Sequence, residues 1–517
     1  MLLNKRPLFG LAGVIVTALA SELNDQVGSI ALPDIQGGLG LSHDPATWFT
    51  SLYISGACFG MAISPWWSVT VSFRRFIFFV IGLMSVTTPL VPFAPNLTIL
   101  YGLRLLQGIS GGFVIPMLMS VALRVLPPAI RLYGLIAYAL TATFFPNLSA
   151  PIAALWTDLV GWRFVFFQVI PLGTLAAVLC WYGMPKDPPQ YARLKKIDWR
   201  GMLLAAIGTG ALTTMLLQGD RYDWWNSSLI CVLALVAAVA LPLLMINEWF
   251  HEVPLFKLQL LSRRNLAYGG ITLFCFILIG SSSSTLPFTY LQEVQQFRPE
   301  QLFYLSAIIA ALQLIFLPTV ARILDFAWVD ARVLNFIGFS FILAACIGDS
   351  LLTSAWNASQ FVLWQVCQAA GDALVVMPLL MMATNSIQPA EGPFGSALFN
   401  TPRGVAEAVG PWLLQLMTRW RGSLHSDRIT DQMGQDRFRL IQAQVVDPRY
   451  PAAMLPDGIP RSVGAVSALS TAVKTQTQVM VLSDTFVVMA GIVVFLMIIL
   501  LILPQRTYPP RITLASK

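Results

Sequence analysis

Charge is what this sequence has least of. Asp, Glu, Lys and Arg together make up 11% of its 517 residues, against about 25% in an ordinary soluble domain. Hydrophobic residues make up 56% and the mean hydropathy is +0.70. A soluble body of this length needs far more charge to cover its surface, so soluble globular folds, disorder and secreted disulfide scaffolds are excluded. Histidine is nearly absent: His43, His251 and His425 are scattered and make no zinc site. The cysteines are few. Cys58, Cys180, Cys231, Cys275, Cys346 and Cys367 each lie in an apolar stretch with no CxxC pair, and read as small core residues. No GxxxxGK[ST] loop is present, so ATP is not the expected energy source, and no cofactor, metal or enzyme signature appears. The formal net charge of +7 is spread over many short loops, which points to membrane topology and away from nucleic acid. No cleavable signal peptide is expected, since the apolar segment after Lys5 and Arg6 runs too long and meets no A-x-A site.

What is there is a series of apolar runs. A span needs roughly 20 mostly apolar residues, and fourteen such runs are predicted: 8–30, 46–68, 76–95, 98–121, 131–155, 164–184, 200–218, 227–249, 265–290, 301–321, 332–352, 359–384, 394–418 and 483–504. In lipid they must be helices, because open backbone groups would go unpaired. With the N-terminus in the cytoplasm, the inner segments hold 19 basic residues, among them Arg74, Arg75, Arg193, Lys195, Lys196, Arg263, Arg264, Arg506, Arg511 and Lys517. The short outer loops hold only Arg163, Arg221 and Arg298. This asymmetry predicts cytoplasmic termini in a multi-pass protein of the cell membrane. Segment 185–199 reads as a connector. Residues 419–482 read as a long polar outer loop, a length that is usually functional or disordered.

Ionisable residues inside a span are costly and therefore functional candidates. Glu22 and Asp25 lie i, i+3 in the first predicted span and share a face. Arg104, in the fourth, falls at a similar depth on a helix running the other way. The expectation is a carboxylate held beside a guanidinium, able to exchange a proton when substrate or gate movement changes their separation; a structural ion pair is the plain alternative. Asp372 lies midway along the twelfth span with no partner nearby in sequence. Arg403 and Glu407 are i, i+4 in the thirteenth and can pair along one face. Gln107 and Gln368 either bond substrate or bridge helices. Ser281 to Ser284 and Pro287 interrupt the ninth span; Ser283 and Ser284 are candidates for a polar cavity wall, with close packing through small residues as the alternative. Met377, Met381 and Met382 with Phe144 and Phe145 could line an apolar pocket or simply pack. Gly108, Gly111 and Gly112 allow close helix approach. A weak repeat relates RLLQGISGGFVIP from Arg104 to QVCQAAGDALVVMP from Gln365; repeated halves around a midplane site mark transporters.

The string RLLQGISGGFVIP, with Arg104, Gln107, Gly108, Gly111, Gly112 and Pro116, resembles the helix-4 motif of major facilitator superfamily drug antiporters. IALPDIQGGLG, TWFTSLY, GWRFVFFQVIPLG, KIDWRGMLL, LLSRRNLAYG and NTPRGVAEAVG extend the resemblance over nearly the whole chain, toward the 14-helix drug:proton antiporters and especially the inner-membrane pumps of Emr-type tripartite systems. The family's helix-2/3 loop motif is reduced to SVTVSFRRF. Its helix-5 motif becomes SAPIAA, with Pro151 kept and the glycines gone. Arg403 matches the family's helix-13 Arg, whereas Glu407 and Asp372 do not match family acids.

The resemblance implies an all-α major facilitator fold: two six-helix bundles, 1–184 and 265–517, with two additional central helices within 185–264. It implies a proton-coupled exporter of amphipathic small molecules across the bacterial inner membrane, with Arg104 and Arg403 at matching positions; with them, Glu22, Asp25, Asp372 and Glu407 are proton-coupling candidates because they are ionisable residues inside spans. The 419–482 segment would meet a periplasmic adaptor leading to an outer-membrane channel. An uptake permease of the same fold and a non-transporting membrane sensor are the competing expectations.

Overall fold

The computed structural model describes residues 6–124, 131–388, 391–435 and 463–508. The predicted inner-segment residues Lys5, Arg511 and Lys517, and residues 436–462 of the predicted outer loop, lie outside the described residues. Among the described residues, thirteen helices are long and apolar enough to cross a bilayer. They pack as two bundles with two further helices, the first of which touches both bundles while the second packs on the first.

The first bundle comprises α1 (Arg6–Ile30), the short α2 (Leu32–Leu39), α3 (His43–Val71), α4 (Phe73–Leu90), α5 (Leu97–Arg124), α6 (Arg131–Ala154) and the pair α7 (Phe164–Phe167) and α8 (Val169–Gly183). The additional helices are α9 (Trp199–Gln218) and α10 (Ser228–Phe250). The second bundle comprises α11 (Arg264–Gly280), α12 (Thr285–Glu293), α13 (Pro299–Leu324), α14 (Ala331–Ser350), α15 (Ala358–Asn385), α16 (Gly392–Gln435) and α17 (Val463–Ile502). Counting α7–α8 and α11–α12 as broken spans gives six per bundle, the predicted number. Successive spans alternate in direction. One face of the molecule therefore carries the start of α1 and the end of α17, and is called the terminal face below.

Two expectations need correction. The segment 419–482 is not simply a loop: its described parts are helix, continuing α16 to Gln435 and beginning α17 at Val463. Residues after Met417 change from apolar to polar with no proline before Gln435, so the helix runs on past the apolar stretch. At 1.5 Å per residue, α16's 44 residues and α17's 40 reach about 66 and 60 Å, well past a hydrocarbon core of about 30 Å. The predicted ninth span is two helices. Ser281–Ser284 form a turn in which the Ser282 and Ser283 hydroxyls donate to the Ile279 and Gly280 carbonyls, ending α11 before α12 begins.

α16 is not among the thirteen apolar spans, because it carries Arg403, Glu407 and a polar C-terminal half. It nevertheless packs against α3, α5, α9, α11 and α17, which covers its polar groups with protein. α3 and α5 make the tightest pair of the first bundle. A Cβ on Gly108 would run into the Tyr53 carbonyl oxygen, and one on Gly112 into that of Ala57. That backbone approach sets where Arg104, one turn before Gly108, can sit.

Candidate functional site

The bundles meet along α6 with α13 and along α3 and α5 with α16, and their mutual hydrogen bonds climb from the terminal face to mid-depth. Tyr133 Oη donates to Asp325 Oδ2 at 3.4 Å. Ser396 Oγ donates to the Pro116 carbonyl at 2.9 Å. Tyr138 Oη donates to Asn400 Oδ1 at 3.0 Å. At the top of this ladder stands Arg403, 2% exposed.

Arg403 is the hub. Its Nη1 donates to Thr141 Oγ1 of α6 at 2.9 Å and its Nη2 to Glu22 Oε1 of α1 at 3.1 Å. Its Nε donates to Glu407 Oε1, one turn on, at 3.3 Å. The guanidinium carbon lies 5.7 Å from the centroid of the Tyr138 ring. One cation from the second bundle is therefore shared between a carboxylate of its own helix and a carboxylate of the first bundle. A buried pair of this kind is stable only while every charge keeps its partner.

Of the two carboxylates predicted near Arg104, Asp25 and not Glu22 lies within its electrostatic reach. Arg104 is fully buried, and its Nη1 donates to Gln107 Oε1 at 2.7 Å while its Nε donates to the Phe49 carbonyl at 3.2 Å. The guanidinium stacks 3.8 Å from the Phe49 centroid and 4.8 Å from that of Tyr53. Glu22 is thus not Arg104's partner. The face of α1 that bears Glu22 turns to α6 and α16, where Arg403 meets it. Asp25, one turn further, is half-buried and within electrostatic reach of both Arg104 and Glu407. Its Oδ1 is buried with no hydrogen-bond partner among the described residues, as are Arg104 Nη2 and Gln107 Nε2. Glu22, Asp25 and Glu407 set three carboxylates against the guanidiniums of Arg104 and Arg403, so a fully ionised cluster carries one excess negative charge. A proton or a cationic ligand would neutralise it.

The other predicted residues divide. Gly111 faces Ser21 Oγ and Tyr53 Oη, where an added Cβ would come to 2.7 Å of each. Pro116 lends its carbonyl to the inter-bundle bond from Ser396. Pro151 is half-buried near the end of α6, away from this ladder. Met377, Met381, Met382 and Phe145 pack in the core. Ser283 spends its hydroxyl on its own helix, and Ser284 is the half-buried residue before α12. Asp372 does have a partner close in sequence: Gln368 Nε2, one turn earlier, donates to its Oδ1 at 3.2 Å. Thr141, Tyr138 and Asn400 were not singled out from the sequence, and neutral polar residues in a span give no signal that could have found them. Asp349, 1% exposed near the end of α14, was missed although the rule applied to Glu22 covers it. Glu248 of α10 was missed likewise; its Oε2 accepts from the Leu255 and Phe256 amides at 2.6 and 3.2 Å.

Two helical bundles meeting at a buried charged seam define the class of polytopic membrane transporters. The family model described as Major Facilitator Superfamily matches residues 14–411, and the chain belongs to that superfamily. It is 27% identical over 444 residues to the multidrug export protein EmrB of Haemophilus influenzae, covering 83% of this chain and 84% of that one. EmrB of Escherichia coli K12 is 26% identical over 447 residues, with 83% and 85% covered. Among solved structures, the human organic anion transporter MFSD10 superposes with a TM-score of 0.56 at 12% identity, covering 94% of this chain and 99% of that one; that likeness concerns the fold.

Proposed function

We propose that this chain is a proton-coupled exporter of amphipathic small molecules, working by alternating access around the seam. The observation that carries the reading is Arg403 of one bundle holding Glu22 of the other in a buried pair. Protonating Glu22 removes the charge that binds it to Arg403, and Glu407 on the same helix keeps the guanidinium neutralised. The two bundles are then freed to part at the terminal face. Asp25, beside Arg104 and Glu407, is the group through which a cationic substrate or a second carboxylate's proton would be felt. Similarity to two multidrug export proteins supports the direction and the substrate class.

The distribution of basic residues supports an orientation with the terminal face toward the cytoplasm, and similarity to the Escherichia coli export protein supports the inner membrane. α16 and α17 then project into the periplasm. They hold to one another through Asp484, which accepts from Arg421 Nε at 2.5 Å and pairs with His425 Nε2 at 2.7 Å. This paired projection is the surface a periplasmic adaptor would meet on the way to an outer-membrane channel. Residues 1–184 and 265–517 act as the two rocking bodies, with 185–264 carrying the additional helices.

The test is compound-driven proton movement in proteoliposomes under an imposed pH gradient, with a panel of lipophilic cations and weak acids. Wild type should give proton flux with at least one compound, opposite in direction to compound movement. Glu22→Gln should still bind that compound and give no flux. Flux in the same direction as the compound would make the protein an uptake symporter and overturn export.

A further inference from the structure

Away from the seam, the second bundle buries two carboxylates that no cation answers. Asp349, at the end of α14 away from the terminal face, is 1% exposed, and Asp372, midway along α15, is 3% exposed. Gln365 Nε2 donates to Asp349 Oδ2 at 3.0 Å and to the Ser282 carbonyl at 3.2 Å, and two turns along the same helix is Asp372, held by Gln368. Cys346, one turn before Asp349, lies within electrostatic reach of both carboxylates. Asp349 Oδ1, Gln365 Oε1 and Gln313 Oε1 are buried with no hydrogen-bond partner among the described residues. Gln313 reaches this place from α13, its Nε2 donating to the Ala369 carbonyl at 3.1 Å. α6 and α11 also pack on α15, and α17 packs on α14, where Ser483 Oγ donates to the Ser350 carbonyl and the adjacent Asp484 is taken up by Arg421 and His425. Among the described residues none of these neighbours brings a charged group to Asp349 or Asp372, and Cys346 is the one titratable side chain in reach.

The groups form a ladder. α15 begins at the face opposite the termini, so Gln365 lies about 10 Å and Asp372 about 21 Å along it. Both glutamines present N–H donors to the carboxylates. A metal ion is repelled by those donors, and no third Asp, Glu, His or Cys joins the two carboxylates as a ligand set among the described residues. A proton needs only a second carboxylate oxygen, and it removes an isolated buried charge without any new countercharge.

We propose that Asp372 is a second proton-carrying site, inside the second bundle, loaded from the face opposite the termini through Asp349. Hydronium at that face gives a proton to Asp349; Asp349 returns to carboxylate as Asp372 takes the proton, and no electron moves. The proposal rests on the proton-coupled reading of the seam for its role in transport, and it adds one proton to each cycle.

The experiment uses the full chain in proteoliposomes with two readouts. Dicyclohexylcarbodiimide reacts with protonated buried carboxyls, so mass spectrometry should find Asp372 modified, less so at alkaline pH. Asp349→Asn should slow that modification at least tenfold. Asp372→Asn should lower the number of protons moved per compound by one with compound binding kept, and Asp372→Glu should restore it. Modification of Asp372 that is absent, or suppressed by sodium at fixed pH, overturns the site, as does an unchanged proton ratio in a fluxing Asp372→Asn protein. Should Glu22→Gln keep its compound-driven proton flux while Asp372 labels with this pH dependence and Asp372→Asn lowers the proton ratio, the seam reading fails and the second site stands; wild type that moves no protons overturns both. Asp349→Asn keeps the labelling test decisive if Asp372→Asn does not fold.

Discussion

The molecule buries carboxylates in two places on opposite terms. At the seam, Glu22 and Glu407 share Arg403, with a hydroxyl and a carbonyl of Thr141 completing the guanidinium's bonds. In the second bundle, Asp349 and Asp372 have only carboxamide partners. The seam set ties two moving bodies together, so its charges must balance for the bodies to close. The second set lies within one body, where it can stay uncharged without loosening anything. Removing a charge should therefore damage the first place and be tolerated in the second.

The largest effect is expected from the cation. Arg403→Leu strands Glu22 and Glu407 and should cost about 3–5 kcal/mol, read as a fall in thermal unfolding temperature of detergent-purified protein. Adding Glu22→Gln should recover part of that loss, since one stranded charge is gone. Glu22→Gln alone should cost about 1–3 kcal/mol, because Arg403 loses one charged acceptor and keeps the other. The same chemical change at Asp372→Asn should shift stability by no more than about 1 kcal/mol, neutral or favourable, since no cation is left behind. Equal losses at Glu22 and Asp372 would erase the distinction between the two places.

The smallest effect lies outside the membrane. Arg263 grips Glu391 at 2.7 and 3.0 Å between α15 and α16, and that guanidinium holds the Glu391 carboxyl below the usual glutamate range, while partial burial opposes it. A lowered folded value means the pair stabilises above the ordinary glutamate value and is lost as pH falls through the lowered one. Both side chains are partly solvated, so Arg263→Ala should remove less than about 1 kcal/mol. The loss should be visible at neutral pH and absent below the lowered value, in contrast to any substitution at the seam.

Much of the fold was legible in the sequence for a plain reason: hydropathy fixes spans, and basic residues count them. The thirteen spans found fall on predicted runs, and the fourteenth, α16, was predicted from a run that its own charges make less apolar. The helical extensions of α16 and α17 were not legible, because the sequence turns polar there and polarity was read as loop. At the seam, the i, i+4 relation of Arg403 and Glu407 could be read from spacing, since both lie on one helix. Depth placed Glu22 and Arg104 at a common level, but depth does not say which face of α1 meets which neighbour. The rotation of α1 gave Glu22 to Arg403, whose position in sequence is 381 residues away. Long-range pairs of this kind are set by helix packing, with Gly108 and Gly112 fixing α5 on α3, and no pattern along the chain reports them.

The account's central claim is that the Glu22–Arg403 pair closes the terminal face and that protonation releases it. Spin labels at Arg75, on α4 of the first bundle, and at Ala327, after α13 of the second, would report the separation of the bundles there. Lowering pH should lengthen that distance in wild type, and Glu22→Gln should show the longer distance at every pH. A distance that ignores both the pH and the substitution, in protein that still moves its compound, would contradict the claim.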